Sequence, residues 1–527
     1  MGIYLNPNNV NFYNAVHDDI YVDKTGMIAF TNGCLNKSSR YICVSRPRRF
    51  GKSIAAAMLA AYYSKGCKSA ELFKGLEIES MAGFDSELNQ NNVIYIDMQA
   101  MRTAAGFEKS DTLTVMQNRV IKEFRETYPD IVGNDEVYLP NVLSKVYAQK
   151  GEQFIVIIDE WDCVFREDKN DTKKQEDYIQ FLRGMFKGVE SERFIKLAYL
   201  TGILPIKKYG TQSAMNNFRE YTMARPGRLA GFLGFTEQEV RDICERYNMD
   251  FDEIKRWYDG YSLGKIKSIY TPNSVVTAVT EGELGNYWTS TETYESMKMY
   301  IEMNFDGLRD AVISMLGGQR VEISTRKFQN DMTNINSMDD ALTLLVHLGY
   351  LAFDSEESEV YIPNQEIAIE FANAVDDKGW GIVGEAIRQS NALVKATIEG
   401  NSALVAERLE QIHEANTSVL AYNNENSLSC AVTIAYYSAR KDYTMIRELP
   451  TGKGFADITF IPHRNSSKPA MVVELKYDSS AEGAIEQIKS KCYTGALDDY
   501  SGEILLVGIN YDKSEKRHEC VIEKVTK

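Results

Sequence analysis

Three short stretches of this 527-residue chain carry residue types at spacings suited to phosphate chemistry. The first is Gly51-Lys52-Ser53, directly before an alanine-rich helical run. At such a helix start, backbone N–H groups can cradle phosphates, a lysine can reach the β- and γ-oxygens, and a hydroxyl can ligate Mg²⁺. Arg48 and Arg49 lie in the same loop and join Gly51, Lys52 and Ser53 as expected nucleotide contacts. The strict G-x-x-x-x-G-K-[ST] pattern fails at one place, where Arg46 stands for the first glycine. The bland alternative is a GKS that merely opens a helix.

The second stretch is FIVIIDEWD, an apolar run ending in Asp159 and Glu160. A strand-terminal aspartate can hold the Mg²⁺ shell, and the adjacent glutamate can polarise a water for attack on a γ-phosphate. The alternative is two carboxylates capping a strand. The next apolar run, FIKLAYLTG, ends at Thr201, placed to sense the γ-phosphate. Asp159 and Ser53 are thus the expected Mg²⁺ ligands of the first site.

The third is Asp457 followed by Glu474-Leu475-Lys476. On a strand, Glu474 and Lys476 project to one face, and a hairpin from FADITFI would bring Asp457 beside Glu474. Two such carboxylates can bind Mg²⁺, which polarises a phosphate and acidifies a bound water. Lys476 would orient that water or offset developing charge. Glu425, upstream, is a candidate third acidic ligand. Gln487, on the following helix, is a candidate contact to water or phosphate. The alternative is a salt-bridged surface pair, although charges in the apolar run MVVELKYD need partners or a metal.

The elements that must position these residues follow from periodicity. RYICVS, NVIYIDMQA, FIVIIDE and FIKLAYLTGI are short β-rich runs separated by helix-length segments, which predicts βα units and a mostly parallel sheet. From Thr236 to Trp288 the chain reads as helical, then loop-like, with WYDGYSLG as turns packed on a core. From Asn286 to Thr417 it is mainly helical. Within it, ALTLLVHLGYLAFDSEESEVYIPNQEIAIEFANAV suggests a helix, two short strands and a helix, the order of a winged-helix-like unit or of a plain packing module. WGIVGEAIRQSNALVKATIEGNSALVAERLEQI reads as an amphipathic connector. The end of the chain predicts an αβββαβ domain whose final strand is EILLVGINY. The expected boundaries are residues 1–235, 236–417 and 418–527.

Composition bounds the function. The chain exceeds the roughly 250–300 residues at which one core stops growing, and 44% hydrophobic with 25% charged residues is ordinary for a globular protein. No apolar run reaches the ~20 residues of a membrane span. The first residues do not read as a signal peptide, and Asn6 breaks the myristoylation pattern that Gly2 invites. Eight scattered cysteines, none in zinc-like or CxxC spacing, read as reduced thiols, and a cytoplasmic location is expected. The net charge of −16 is not uniform: from Ala421 onward 14 basic and 15 acidic residues leave −1, so −15 lies upstream. The acidity therefore does not exclude a nucleic-acid substrate for the C-terminal part, and it supplies no basic patch for one.

Taken together, these motifs resemble AAA-ATPase-like proteins that carry a C-terminal nuclease of the PD-(D/E)xK superfamily. YVDKTGMI, SRPRRFGKS, IIDEWD, YLTGILPI, WYDGYSLG, YTPNSVV, NYWTST, GYLAFD and YIPNQEI occur in that order, followed by GFADITFI, VVELKYD and AIEQIKSKCY. The Arg-Pro-Arg-Arg-Phe loop is usual in such proteins, which accounts for Arg46. A basic residue two before the aspartate is also usual, and Phe455 stands there instead. The resemblance implies an N-terminal P-loop NTPase of the AAA-ATPase-like kind, a helical and winged-helix-like middle, and a restriction-endonuclease-like α/β domain. It implies Asp457, Glu474, Lys476 and, further out, Glu425 and Gln487 as nuclease residues, and Arg225 of ARPGR as an arginine sensing nucleotide or a neighbouring subunit. ATP and Mg²⁺ are the implied cofactors, with Mn²⁺ an alternative at the nuclease site.

The leading expectation is an ATP-binding and ATP-hydrolysing protein coupled to a metal-dependent nuclease acting on DNA or RNA. A nucleotide switch with a silent nuclease fold, and an ATPase that remodels a protein partner, remain the alternatives. Homo-oligomerisation and a protein partner stay open, and no membrane association is expected.

Overall fold

The computed structural model describes residues 2–206, 208–209, 212–213, 215–288, 305, 307–329, 332, 335–377, 381–416, 425–451, 454–463, 466, 468–491, 500 and 502–525. The chain divides into two compact units, Met1–Tyr287 with Glu322–Pro363, and Trp288–Val321 with Asn364–Lys527. The 236–417 stretch contributes to both.

The first unit is built on a five-stranded parallel sheet. Its strands are β1 (Tyr41–Ser45), β2 (Asn92–Asp97), β3 (Phe154–Asp159), β4 (Ile195–Gly202) and β5 (Arg219–Tyr221), in the order β2-β3-β4-β1-β5. The runs are apolar on both faces because both faces are covered. Ile42, Val44, Ile155, Ile157, Leu197 and Tyr199 point to the side of α1 (Lys52–Tyr63), packing with Ala56, Leu59 and Tyr63. Tyr41, Cys43, Val156, Ile158, Ala198 and Leu200 point the other way. There they meet α2 (Thr112–Thr127), α3 (Leu139–Lys150) and α4 (Thr172–Phe186), through Val120, Phe124, Val142, Val146, Tyr178 and Leu182. Alternation with period two thus places each strand in two cores at once. Side chains start α2 and α4: Asp111 accepts from the Thr114 N–H and Asp171 from the Lys174 N–H.

Beyond the sheet, helices Glu237–Tyr247 and Phe251–Tyr258 lead into a hairpin of Tyr261–Leu263 and Ile266–Tyr270, then helix Pro272–Glu281. WYDGYSLG is therefore the end of a helix, a turn and a strand, not turns alone. Helix Met338–Leu348 precedes the short antiparallel pair Ala352–Asp354 and Glu359–Tyr361, and Gln365–Asp377 is helical, in the order read from the sequence.

The second unit holds a mixed sheet: β6 (Tyr443–Thr451), β7 (Gly454–Pro462), β8 (Ala470–Tyr477), β9 (Ile504–Asp512) and β10 (Arg517–Val525), paired in chain order. Only β8 and β9 run parallel, and α5 (Ala481–Ser490) lies between them in sequence. Ala456, Val472, Ile485, Ile488, Ile504 and Leu506 form its inner layer. β10 was not expected. Arg517 to Val525 is polar at most positions because it is an edge strand, so its apolar signal is weak. The expected connector is two helices, Gly381–Ile398 and Ser402–Asn416, and the second covers β10, with Ser402 Oγ accepting the Ile522 N–H at 3.1 Å. No helix among the described residues is long and apolar enough to cross a membrane.

Candidate functional site

The sheet order brings three of the sequence motifs to one edge. β4 lies between β1 and β3, with Ser45 opposite Gly202 and Thr201 opposite Asp159. The loop after β1, the acidic pair after β3 and Thr201 therefore converge at the carboxyl ends of adjacent parallel strands, where ligands of open α/β sheets bind. Gly51 takes φ +83°, a left-handed turn that a glycine adopts without penalty, and no side chain caps the first amides of α1. Those amides are the donors an anion would meet.

Lys52 is buried, and its Nζ donates to the Pro47 carbonyl at 2.8 Å, folding the side chain back over its own loop. Burial lowers its pKa, against the opposing pull of Glu160, Asp159 and Asp162. Burial pushes Asp159 up to about 6, helped by Glu160 and opposed by the Ser53 hydroxyl and Lys52. Ser53 itself is exposed at the mouth of the loop, hydrogen-bonded to Asp159. Thr201 is fully buried at the end of β4.

Glu160 has a left-handed backbone, φ +50°, unusual for a glutamate. Its N–H donates to Asp159 Oδ1 at 2.9 Å, and its carboxylate pairs with Arg166. Arg166 also meets Asp162 at 3.2 Å, and Asp162 accepts the N–H groups of Ile203 and Leu204 just beyond β4. Burial alone would lower Arg166, but Asp162 and Glu160 hold it above its ordinary value. The sequence reading did not single out Arg166 and Asp162. Their four-residue spacing within DCVFR was the available signal.

Arg46 is wholly buried and belongs to the scaffold. Its guanidinium donates to the carbonyls of Ser45 (2.9 Å), Tyr221 (3.0 Å) and Leu229 (3.5 Å). Burial lowers it to about 10. Arg49, at φ +67°, donates to the Tyr287 carbonyl at 2.7 Å, and Arg48 is half-buried. Arg225 is exposed, and its described contacts are backbone ones with Thr222.

In the second unit, β7 and β8 are antiparallel, and Asp457 lies one residue beyond the Ile458–Val473 pair. Its Oδ2 accepts the Leu475 N–H at 2.7 Å, so the carboxylate sits directly against the Glu474-Leu475-Lys476 run. The Glu474 side chain is 2% exposed. Lys476 Nζ lies 3.3 Å from Glu474 Oε1, and the Gln487 amide from α5 donates to the same oxygen. The other oxygen, Oε2, is buried with no hydrogen-bond partner among the described residues. Burial, then the neighbouring Asp457, raises Glu474 to about 7, against Lys476. The structure thus gathers Asp457, Glu474, Lys476 and Gln487. The side chains of Glu425 and Phe455 lie outside the described residues, although Glu425 opens the helix Glu425–Ala435.

Both parts of the chain match known protein families. Residues 11–211 match the family model of predicted AAA-ATPases, and residues 423–520 that of the PD-(D/E)XK nuclease superfamily. The chain joins an AAA-ATPase-like domain to a PD-(D/E)XK superfamily domain. The uncharacterized protein in the vnfD 5′ region of Azotobacter chroococcum mcd 1 is 25% identical over 288 residues. That match takes in 52% of this chain and 51% of the relative, so the chain spans about half the length of the curated relative it matches. Among solved structures, the Aeropyrum pernix ORC2 protein, determined as ADPNP and ADP complexes, aligns at a TM-score of 0.32 and 12% identity. It covers 68% of this chain and 97% of that one. C. elegans PCH-2 aligns at 0.20 and 9%, covering 64% and 66%. Alignments this loose carry no functional argument.

The residues of the PD-(D/E)XK domain fit a divalent cation. A buried carboxylate with one oxygen, Oε2, that no donor meets among the described residues, beside a second carboxylate, presents hard oxygen ligands. In the AAA-ATPase-like domain, the uncapped amides of α1, Lys52, Ser53 and Asp159 fit a Mg²⁺-nucleotide phosphate.

Proposed function

We propose that this protein binds and hydrolyses ATP in its AAA-ATPase-like domain and cleaves nucleic-acid phosphodiester bonds in its PD-(D/E)XK domain with a divalent metal. In the first, α1 amides and Lys52 bind phosphates, Ser53 and Asp159 would hold Mg²⁺, and Glu160 orients the attacking water once freed from Arg166. In the second, Asp457 and Glu474 would hold the metal, which when bound would supply an acidified water at the phosphate. Lys476 steadies negative charge developing there, and Gln487 fixes the rotamer of Glu474 from α5.

The observation that carries the nuclease reading is Glu474 itself: a buried, up-shifted carboxylate with an unpartnered oxygen, flanked by Asp457, Lys476 and Gln487. Perturbed groups of this kind concentrate at functional sites. The test is incubation with plasmid, single-stranded DNA and RNA, with Mg²⁺ or Mn²⁺, with and without ATP. Cleavage by wild type, its loss in Asp457→Ala and slow cleavage by metal-loaded Lys476→Ala are the expected results. Equal cutting by Asp457→Ala removes the reading. ATP binding measured by calorimetry, lost in Lys52→Ala, tests the other half.

A further inference from the structure

WYDGYSLG has no part in either chemistry, yet its residues are tied to the phosphate loop and to the ends of two chain segments. Phe50, between Arg49 and Gly51, packs edge-on against Tyr261, with ring centroids 5.3 Å apart. The Tyr261 hydroxyl donates to the Gly349 carbonyl at 2.6 Å. Tyr258 is buried, and its hydroxyl both donates to the Gly285 carbonyl (2.9 Å) and accepts the Gly285 N–H (3.1 Å). Gly260, at φ +116°, lies so close to Pro363 that a Cβ there would meet its carbonyl oxygen at 1.9 Å, and Tyr361 donates to the Gly260 carbonyl. The chain leaves the first unit after Tyr287 and again after Pro363. Both departures are therefore anchored within a few residues of one motif.

Arg49 joins this hub to the phosphate loop. Its guanidinium donates to the Tyr287 carbonyl at 2.7 Å. Tyr287 closes a segment in which its hydroxyl donates to the Glu283 carbonyl and its ring packs on Tyr258. Arg49 is half-buried and stands two residues before Gly51, where an incoming phosphate would arrive. A guanidinium–phosphate hydrogen bond is charge-assisted on both sides, whereas a backbone carbonyl offers only a neutral acceptor.

We propose that Arg49 is a latch: without nucleotide it fastens the Glu283–Tyr287 segment through the Tyr287 carbonyl, and nucleotide phosphate draws it away and releases that segment. The inference rests on the ATP-binding reading above. It adds that nucleotide occupancy sets the order of the chain where it leaves the first unit, with Tyr258, bonded to Gly285 and packed on Tyr287, as the positioning residue that keeps the segment within reach.

Hydrogen exchange on the full chain tests it, read at the amides of residues 283–287 with and without ATP·Mg²⁺, with binding measured in parallel by calorimetry. Wild type should exchange about tenfold faster there when nucleotide is bound, the scale of losing one hydrogen bond from a charged donor. Arg49→Met should exchange at the faster rate with no nucleotide present, an arm that does not depend on ATP binding. Bound ATP with unchanged exchange overturns the latch, and so does Arg49→Met exchanging like nucleotide-free wild type. If no ATP binds, the functional reading itself fails and the latch falls with it, while the Arg49→Met arm separately reports whether the anchor exists.

Discussion

Glu474→Gln should make the metal-free protein more stable in alkaline solution, while abolishing cleavage. The Glu474 carboxyl moves from an ordinary 4.5 to about 7 in the folded state, through burial first and Asp457 second. At about 1.4 kcal/mol for each tenfold in proton affinity, holding it ionised costs the folded state on the order of 3 kcal/mol. The sign follows from proton counting. Between pH 4.5 and about 7 the folded state binds more protons at this group than the unfolded state, so stability falls as pH rises through that window. Below 4.5 the group contributes nothing, and above 7 the full cost stands. Glutamine keeps the shape and retains an oxygen for Lys476 while removing the charge. Urea unfolding in EDTA at pH 5 and pH 8, following the transition of the PD-(D/E)XK domain, should show the variant's advantage growing by up to about 3 kcal/mol at the higher pH. Adding Mn²⁺ should stabilise wild type and leave the variant unchanged. An advantage of the same size at both pH values refutes the claim that Glu474 is held ionised at a cost.

Glu160→Gln should keep ATP bound while slowing turnover about 10²–10⁴-fold, as expected for loss of the group that polarises water, and a phosphate-release assay reads this directly. Arg46→Gly would restore the strict phosphate-loop pattern, yet it should destabilise the first unit by at least about 1–3 kcal/mol in chemical denaturation, because buried carbonyls at Ser45, Tyr221 and Leu229 lose their donor. Gly508→Ala should impair cleavage, since Gly508 is paired with Glu474 across the parallel ladder and an added Cβ would lie 2.3 Å from the Ala481 carbonyl, forcing α5 outward and Gln487 away from Glu474. Comparing its metal affinity with its cutting rate separates misplacement of Gln487 from loss of the fold.

The fold was legible where one signal dominated. RYICVS, NVIYID, FIVIID and FIKLAYLTG are apolar on both faces because helices cover both, so runs of β-rich residues between helix-length segments could be read without knowing their neighbours. The order of those strands could not be read, since every one is equally apolar. β10 escapes notice because its pattern is mixed at a sheet edge, and the helix Ser402–Asn416 reads as a connector because its partner is that unseen strand. At the sites, Glu474 and Asp457 were legible as charges in apolar strands, which burial must explain. Arg166 was not, because an arginine in a short helix reads as surface until its partners Glu160 and Asp162 are known. In the sequence Arg46 is a departure from a motif, and only its three carbonyl acceptors make it part of the scaffold.

The β2-β3-β4-β1-β5 order has a consequence for synthesis on the ribosome. β1 ends at Ser45, and both its neighbours, β4 starting at Ile195 and β5 starting at Arg219, are made at least 150 residues later. At about 5–20 residues per second, the YICVS strand waits roughly 8–30 s without a partner for either edge. Meanwhile β2 and β3 can pair with each other but not with it. The nascent chain therefore carries an apolar strand with both edges open until the Thr201 end of β4 has cleared the exit tunnel. That interval is the window in which a chaperone holding short β-prone segments would act, and in which aggregation competes with folding.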